Sequence, residues 1–210
     1  MGKCEVHSEV LGIVGTNVYL LTNKETSEAV IIDPGKVTNQ IIRHIEDDKY
    51  TLCAVLVTHN HGSHTRGLST LRKIYNPEIY AADYETAGPD TNVLKGNGVI
   101  HAAGFTIGYM SVPGHSPDSM CYKIGKVIFT GDVLSAGKIG DTNNTYARSM
   151  LISNVQTKIL SQQDDITIMP GHGPPSSIAA EKEFNLDLGY PILRENIYKT
   201  LRYPQRSITD

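Results

Sequence analysis

The chain has 210 residues, of which 19 are basic and 22 acidic, for a formal net charge of −3, and it carries three cysteines. That length suits one α/β domain burying roughly 70% of the surface of its unfolded form, and the near balance of charge leaves no electrostatic footprint for nucleic acid. The odd cysteine count, with no Cys-x-x-Cys pair, speaks against disulfides and against a thiolate metal site.

No apolar stretch approaches the length of a membrane span, and the residues after Met1 form no apolar core of a secretory signal. A cytoplasmic protein without a membrane partner is expected.

In chain order, residues 5–35 read as β-structure, with a β-favouring run at Asn17–Thr22 and a short, wholly apolar strand at Ala29–Ile32 that ends at Asp33-Pro34-Gly35. Val37, Ile41 and Ile45, four apart, predict a helix from about residue 37 to 47. The apolar strand Cys53–Val57 follows, with Cys53 acting as a small hydrophobe.

This strand empties into Thr58-His59-Asn60-His61-Gly62-Ser63-His64, which holds three of the eight histidines. Any one of them alone is most simply a solvated loop residue. Together, directly after a core strand, they favour metal binding, because neutral imidazole is the commonest nitrogen ligand for zinc and iron. His59 and His61 are two apart on extended chain and point the same way, so they can grip one ion. His64 lies past Gly62, where the chain can turn, and can face a second ion.

Leu68, Leu71 and Ile74 or Tyr75 predict a second helix, stopped at Asn76-Pro77, and Ile79–Ala82 a short strand. Residues 83–98 are polar and turn-rich, a surface loop that could rim the site. A strand over Phe105–Val112 delivers His115, and Met120–Ile124 with Lys126–Thr130 form a hairpin ending at Asp132. A third helix is expected over 145–161, with Leu151, Val155 and Ile159 four apart. The strand Ile166–Met169 releases Pro170-Gly171-His172-Gly173, and Ser176 or Ser177 caps a following helix. Leu193, Ile197 and Leu201 are at helical spacing within Pro191 to about Tyr203, a tail that could pack on the domain or mediate a homodimer.

The two halves echo each other. Strand Ala29–Ile32 ends in an Asp, and after a helix the next strand ends in His59. Strand Val127–Thr130 ends in Asp132, and after a helix the next strand ends in His172. Two such β-α-β units imply facing halves with helices outside, an α/β fold of the αββα sandwich kind with two mixed sheets flanked by helices.

His59, His61, His64, His115, Asp132 and His172 all fall at strand exits. In order and local context they resemble the metallo-β-lactamase superfamily, whose signature reads His-x-His-x-Asp-His. The resemblance covers about residues 10–183, and sets a domain over 1–183 with 184–210 as a C-terminal helical extension packed on it. It implies that His59, His61 and His115 hold a first metal. His64 and His172 would then hold a second, with Asp132 bridging both. Asp33-Pro34-Gly35 matches an element expected to act structurally at the base of the site. His7, His44 and His101 receive no role, His44 being placed on an exposed helix face.

Zinc, as one ion or two, suits this nitrogen- and oxygen-lined site, with iron or manganese as alternatives. Ser63 is the departure, since it stands where the family signature has Asp. Serine brings no charge and sits one bond closer to the backbone, so an intact first site and a weakened second are expected.

Thr130-Gly131-Asp132-Val133-Leu134 and Pro170 to Ser176, followed by Glu181-Lys182, most resemble the glyoxalase II-like hydrolases, which implies a thioester or related small-molecule ester as substrate. Asp141, however, stands where those enzymes commonly carry Arg or Lys. Two alternatives remain open. One is a mononuclear iron dioxygenase of persulfide type, using His59, His115 and Asp132. The other is a catalytically impaired metal-binding homologue.

Overall fold

A computed structural model describes residues 4–11 and 15–189. The first half is a meander of β1 (Cys4–Leu11), β2 (Thr16–Asn23) and β3 (Glu28–Ile32), paired antiparallel. Helix α1 (Asn39–Glu46) then crosses over to β4 (Thr51–Leu56), which runs parallel to β3. The one-turn helix α2 (Gly62–Thr65) and helix α3 (Leu68–Ile74) lead to β5 (Glu78–Ala81) and β6 (Thr91–Val93), both parallel additions. The first sheet therefore keeps sequence order, β1 to β6.

The second half has β7 (Asn97–Ala102), β8 (Phe105–Ser111), β9 (Met120–Ile124) and β10 (Val127–Gly131), each antiparallel to the last. A small hairpin, β11 (Leu134–Ser135) and β12 (Lys138–Ile139), precedes helix α4 (Thr145–Asn154). Then come β13 (Thr167–Pro170), parallel to β10, the short β14 (Ser176–Ser177) and helix α5 (Ile178–Phe184). The second sheet has the order β14-β13-β10-β9-β8-β7.

Strand alternation sorts the core into three layers. In β2, Tyr19 and Leu21 face the second sheet, while Val18 and Leu20 face α1 and α3; β3 does the same with Val30 and Ile32 against Ala29 and Ile31. Between the sheets these meet Phe105, Ile107, Met120, Tyr122 and Phe129. Outside the second sheet, Leu151, Val155 and Ile159 pack on Ile128 and Ile168. Each fully buried aliphatic side chain is worth roughly 1.5–3 kcal/mol relative to exposure. The order of layers is helix, sheet, sheet, helix, the expected sandwich.

The helices begin where side chains can accept their first free N–H groups. Thr38 accepts from Ile41 N, Asn144 from Ala147 N and Ser177 from Ala180 N. The first cap moves the start of α1 to residue 39 from the expected 37. In α4 the expected run to 161 stays helical only to residue 159 and changes pitch on the way, with a wider turn over Val155–Ile159 closed by Leu160 N on Val155 O at 2.9 Å.

The surface loop expected at 83–98 is in part ordered strand. Thr91 pairs with Ile79 and is buried, and Asn97 pairs with Met110, so main-chain partners override a turn-rich composition. His44 is half-buried and engaged rather than on an exposed face. Residues 190–210, with the expected helix at 191–203, lie outside the described residues. Among the described residues no helix is long and apolar enough to cross a membrane.

Candidate metal centre

The ends of β4, β8, β10 and β13 open onto one rim of the sandwich, where main-chain bonds stitch the two sheets together. Met120 N donates to Thr58 O at 2.7 Å and Asn17 N to Gly171 O at 2.8 Å. The Tyr19 hydroxyl donates to Pro170 O at 2.6 Å, and Asn17 Nδ2 reaches Pro170 O and Gly173 O at 2.9 and 2.8 Å. The loop bearing His172 is thus held by the opposite sheet.

All six residues expected from the sequence converge here. They form two groups that share Asp132: His59, His61 and His115 with Asp132, and His64 and His172 with Asp132. Within each group the ligand-type atoms lie within 4.8 Å of one another. His61 Nδ1 is 2.9 Å from His59 Nε2 and 3.2 Å from His115 Nε2. Asp132 Oδ2 stands 3.7, 3.8 and 3.4 Å from Nε2 of His59, His115 and His172, and Oδ1 is 3.4 Å from His64 Nε2.

Backbone and carboxylate partners fix which ring nitrogens face inward. Asp33, buried at the end of β3, accepts from Thr58 N and from the Thr58 hydroxyl, both at 2.7 Å. Its Oδ2 also accepts from His64 Nδ1 at 3.0 Å. Because the Thr58 hydroxyl spends its proton on Asp33, its oxygen is left to accept from His59 Nδ1 at 3.0 Å. His115 Nδ1 donates to the Asp141 carbonyl at 2.8 Å. Each of these bonds turns Nε2 toward Asp132 as the nitrogen that can bind an ion once it carries no proton. Asp118 Oδ2 accepts from Asn60 N at 2.7 Å and steadies the loop between His59 and His61.

The electrostatics divide the two groups. Burial pushes the His59 imidazole down to about 4, and burial lowers His61 as well, so both are neutral at pH 7. Burial acts the same way on His64, but the Asp33 charge, the nearby Asp132 carboxylate and the Asp33 hydrogen bond outweigh it and lift the group to about 10. Burial would raise Asp132, yet the adjacent His64 and the neighbouring His59 and His172 imidazoles bring it to about 2.

The donor set fits metal ions. His64 Nε2 and Asp132 Oδ1 are sealed from solvent and neither makes a hydrogen bond, a costly arrangement unless something else satisfies them. Ligands about 2.0–2.1 Å from a tetrahedral ion stand roughly 3.3 Å apart, close to the separations seen here. Space is reserved as well. A Cβ on Gly171 would collide with Asp132 Oδ1 and approach His64 Cε1 to 2.7 Å.

A model of the metallo-beta-lactamase superfamily matches residues 11–181. The chain belongs to that superfamily. It is 31% identical over 195 residues to hydroxyacylglutathione hydrolase GloC of Haemophilus influenzae, covering 80% of this chain and 91% of that one. Among solved structures, the BLEG-1 B3 metallo-beta-lactamase superposes with a TM-score of 0.81 at 28% identity, over 89% of this chain and all of the other. ETHE1 from Myxococcus xanthus gives a TM-score of 0.77 at 26% identity, over 96% and 92%. Metal binding is a property of the superfamily, and the two His/Asp groups are where this member could bind its ions.

Ser63 sits half-buried inside α2, and its carbonyl presses so closely on Gly35 that a side chain there would collide with it. Asp33-Pro34-Gly35 therefore supports the His loop from beneath, as expected. Reading the sequence missed Thr58, Asp118 and the Asp141 carbonyl. A hydroxyl next to His59 was a usable signal for Thr58; a backbone carbonyl twenty-six residues from its partner leaves none.

Proposed function

We propose that this metallo-β-lactamase superfamily member is a metal-dependent hydrolase acting on a thioester or related small-molecule ester. The observation that carries the reading is the sharing of Asp132 by two convergent ligand groups. His59, His61 and His115 would hold one zinc ion and His64 and His172 a second, with Asp132 between them. Bound there, the ions would lower the pKa of water to near neutrality and polarise the scissile carbonyl.

The chain's own residues orient this chemistry. Asp33 holds the His64 ring directly and the His59 ring through Thr58, so one buried carboxylate aligns a ligand in each group. The Asp141 carbonyl does the same for His115. Asp132, ionised throughout the neutral range, turns Oδ2 toward His59, His115 and His172 and Oδ1 toward His64, so it reaches both groups. The similarity to hydroxyacylglutathione hydrolase GloC supports a thioester. Against glutathione itself stands the exposed Asp141, whose charge would repel an anionic thiol.

Ser63, where the superfamily signature has Asp, leaves the second group three protein ligands. Three still complete a four-coordinate zinc with one water, but the charge of a fourth is lost, so the second ion is held more weakly. Elemental analysis of freshly purified protein, followed by thioester, lactone, β-lactam and phosphodiester substrates, tests the reading. Thioester turnover that stops on chelation and returns with zinc is expected.

One feature favours a second reading. Nε2 of both His59 and His115 faces the same Asp132 oxygen, and this two-His, one-carboxylate set does not involve position 63. It would suit a mononuclear iron dioxygenase acting on a persulfide, and the superposition on ETHE1 fits it. One iron per chain and oxygen uptake with a persulfide would select it over hydrolysis.

A further inference from the structure

A second cleft, of about 440 Å³, lies beside the His loop and is lined by Thr65, Arg66, Leu68, Ser69, Arg72, Lys73, Thr86 and Ala87. We propose that it is a binding site for a phosphorylated small molecule. Its lining has three cations and three hydroxyls and no carboxylate.

Arg72 builds the wall. Its Nη1 donates to Ala87 O at 2.6 Å and its Nη2 to Asp90 at 2.9 Å, which fastens the segment after β5 across α3. Asp90 offsets the charge of Arg72 from outside the cleft.

Arg66 and Lys73 have a different status. Neither forms an ion pair with an acid among the described residues. The Arg66 guanidinium lies along Gly62, where a Cβ would stand 3.2 Å from Nε, so it borders the His loop. Glu85, next to Thr86, does not line the cleft. The Thr65 hydroxyl donates to His61 O at 3.1 Å, which leaves Ser69 and Thr86 as the hydroxyls beside two uncompensated cations. That set suits a tetrahedral oxyanion, which accepts from both kinds of group, and guanidinium binds phosphate through paired N–H bonds. The cleft is far larger than one phosphate and falls within the range of small-molecule sites, about 300–1,000 Å³. Leu68 and Ala87 leave it an apolar floor for the rest of the ligand.

This site does not depend on the hydrolase reading and would stand if the metal centre proved inactive. The test is titration of inorganic phosphate into the zinc-loaded, isotope-labelled full chain at low ionic strength, followed by amide NMR. Saturable shifts at Ser69, Lys73 and Thr86 are expected. The double variant Arg66→Gln/Lys73→Gln should bind phosphate at least about tenfold more weakly, the loss of charged hydrogen-bond donors. A Lys49→Gln/Lys95→Gln control removes the same charge from exposed sites elsewhere and should titrate like wild type. The proposal is overturned if phosphate shifts only the amides of the His loop, or if the cleft variant loses no more affinity than the control.

Discussion

Asp33 Oδ2 and His64 Nδ1 meet at 3.0 Å, both side chains buried, and the same carboxylate takes the Thr58 hydroxyl that orients His59. One acid behind the site therefore reaches both ligand groups. Asp33 adopts a left-handed backbone with φ of 52°, which Asn tolerates well among non-glycine residues. Asp33→Asn keeps the shape and removes the charge. Metal affinity should fall roughly 10–100-fold, the usual loss for a partner of this kind. Competition with a chromogenic chelator would measure it, and unchanged affinity would show that Asp33 serves folding alone.

The two groups should take up metal with different pH dependence. In protein stripped of metal, His64 holds its proton up to about pH 10, so ion binding there must expel it. Affinity of that group should rise about tenfold per pH unit between pH 6 and 9, one proton being displaced. His59, pushed down to about 4, is already neutral and adds no such slope to the other group. Metal titrations at several pH values would show two ions whose affinities converge as pH rises. Parallel slopes would refute the assignment.

Gly171→Ala places a methyl against Asp132 Oδ1, His64 and the Gly131 backbone. Backbone on one side and a held carboxylate on the other leave little room to yield. The strain should cost about 1–3 kcal/mol in stability and displace Asp132, so metal content should drop together with the melting temperature. Thermal unfolding with elemental analysis checks both.

Glu181 is buried yet fully engaged. It accepts from Gly137 N at 3.1 Å, from Asn185 Nδ2 at 2.6 Å and from the Ser176 hydroxyl. Asp187, accepting from Ile139 N and Arg148, grips the same hairpin, whose continuation carries the Asp141 carbonyl to His115. Glu181→Ala leaves the buried Asn185 amide and the part-buried Gly137 N and Ser176 hydroxyl without their acceptor, at a cost of about 3 kcal/mol. For a chain of this size that lowers the melting temperature by roughly 6–12 °C, readable by circular dichroism.

Much of this was legible beforehand, and the reasons are local. His59, His115, Asp132 and His172 each follow an apolar strand, so position along the chain implied position at the strand ends, and His64 belongs to the same loop as His59. The paired strand–Asp–helix–strand–His pattern gave away the two parallel crossovers, β3 to β4 and β10 to β13. What stayed hidden depends on partners distant in sequence. β6 exists because β5 offers it main-chain bonds, not because Thr91-Asn92-Val93 is strongly β-forming. The hold of Asp141 on His115 is a carbonyl contact, and backbone carbonyls carry no residue signature.

Ser63→Asp tests the effect of the signature departure. It should tighten the second ion and, if hydrolysis is the activity, raise turnover by at least about tenfold, a modest fraction of what well-placed catalytic groups contribute. A wild-type protein that already holds two ions tightly would contradict the weakening assigned to serine.

Elemental analysis of wild type and Asp132→Ala, each purified and then dialysed without added metal, bears on the shared carboxylate most directly. Wild type should keep one transition-metal ion per chain and gain a second when zinc is supplied, whereas Asp132→Ala should keep neither. A wild-type chain that stays metal-free in excess zinc, or an Asp132→Ala chain as fully loaded as wild type, would contradict the account.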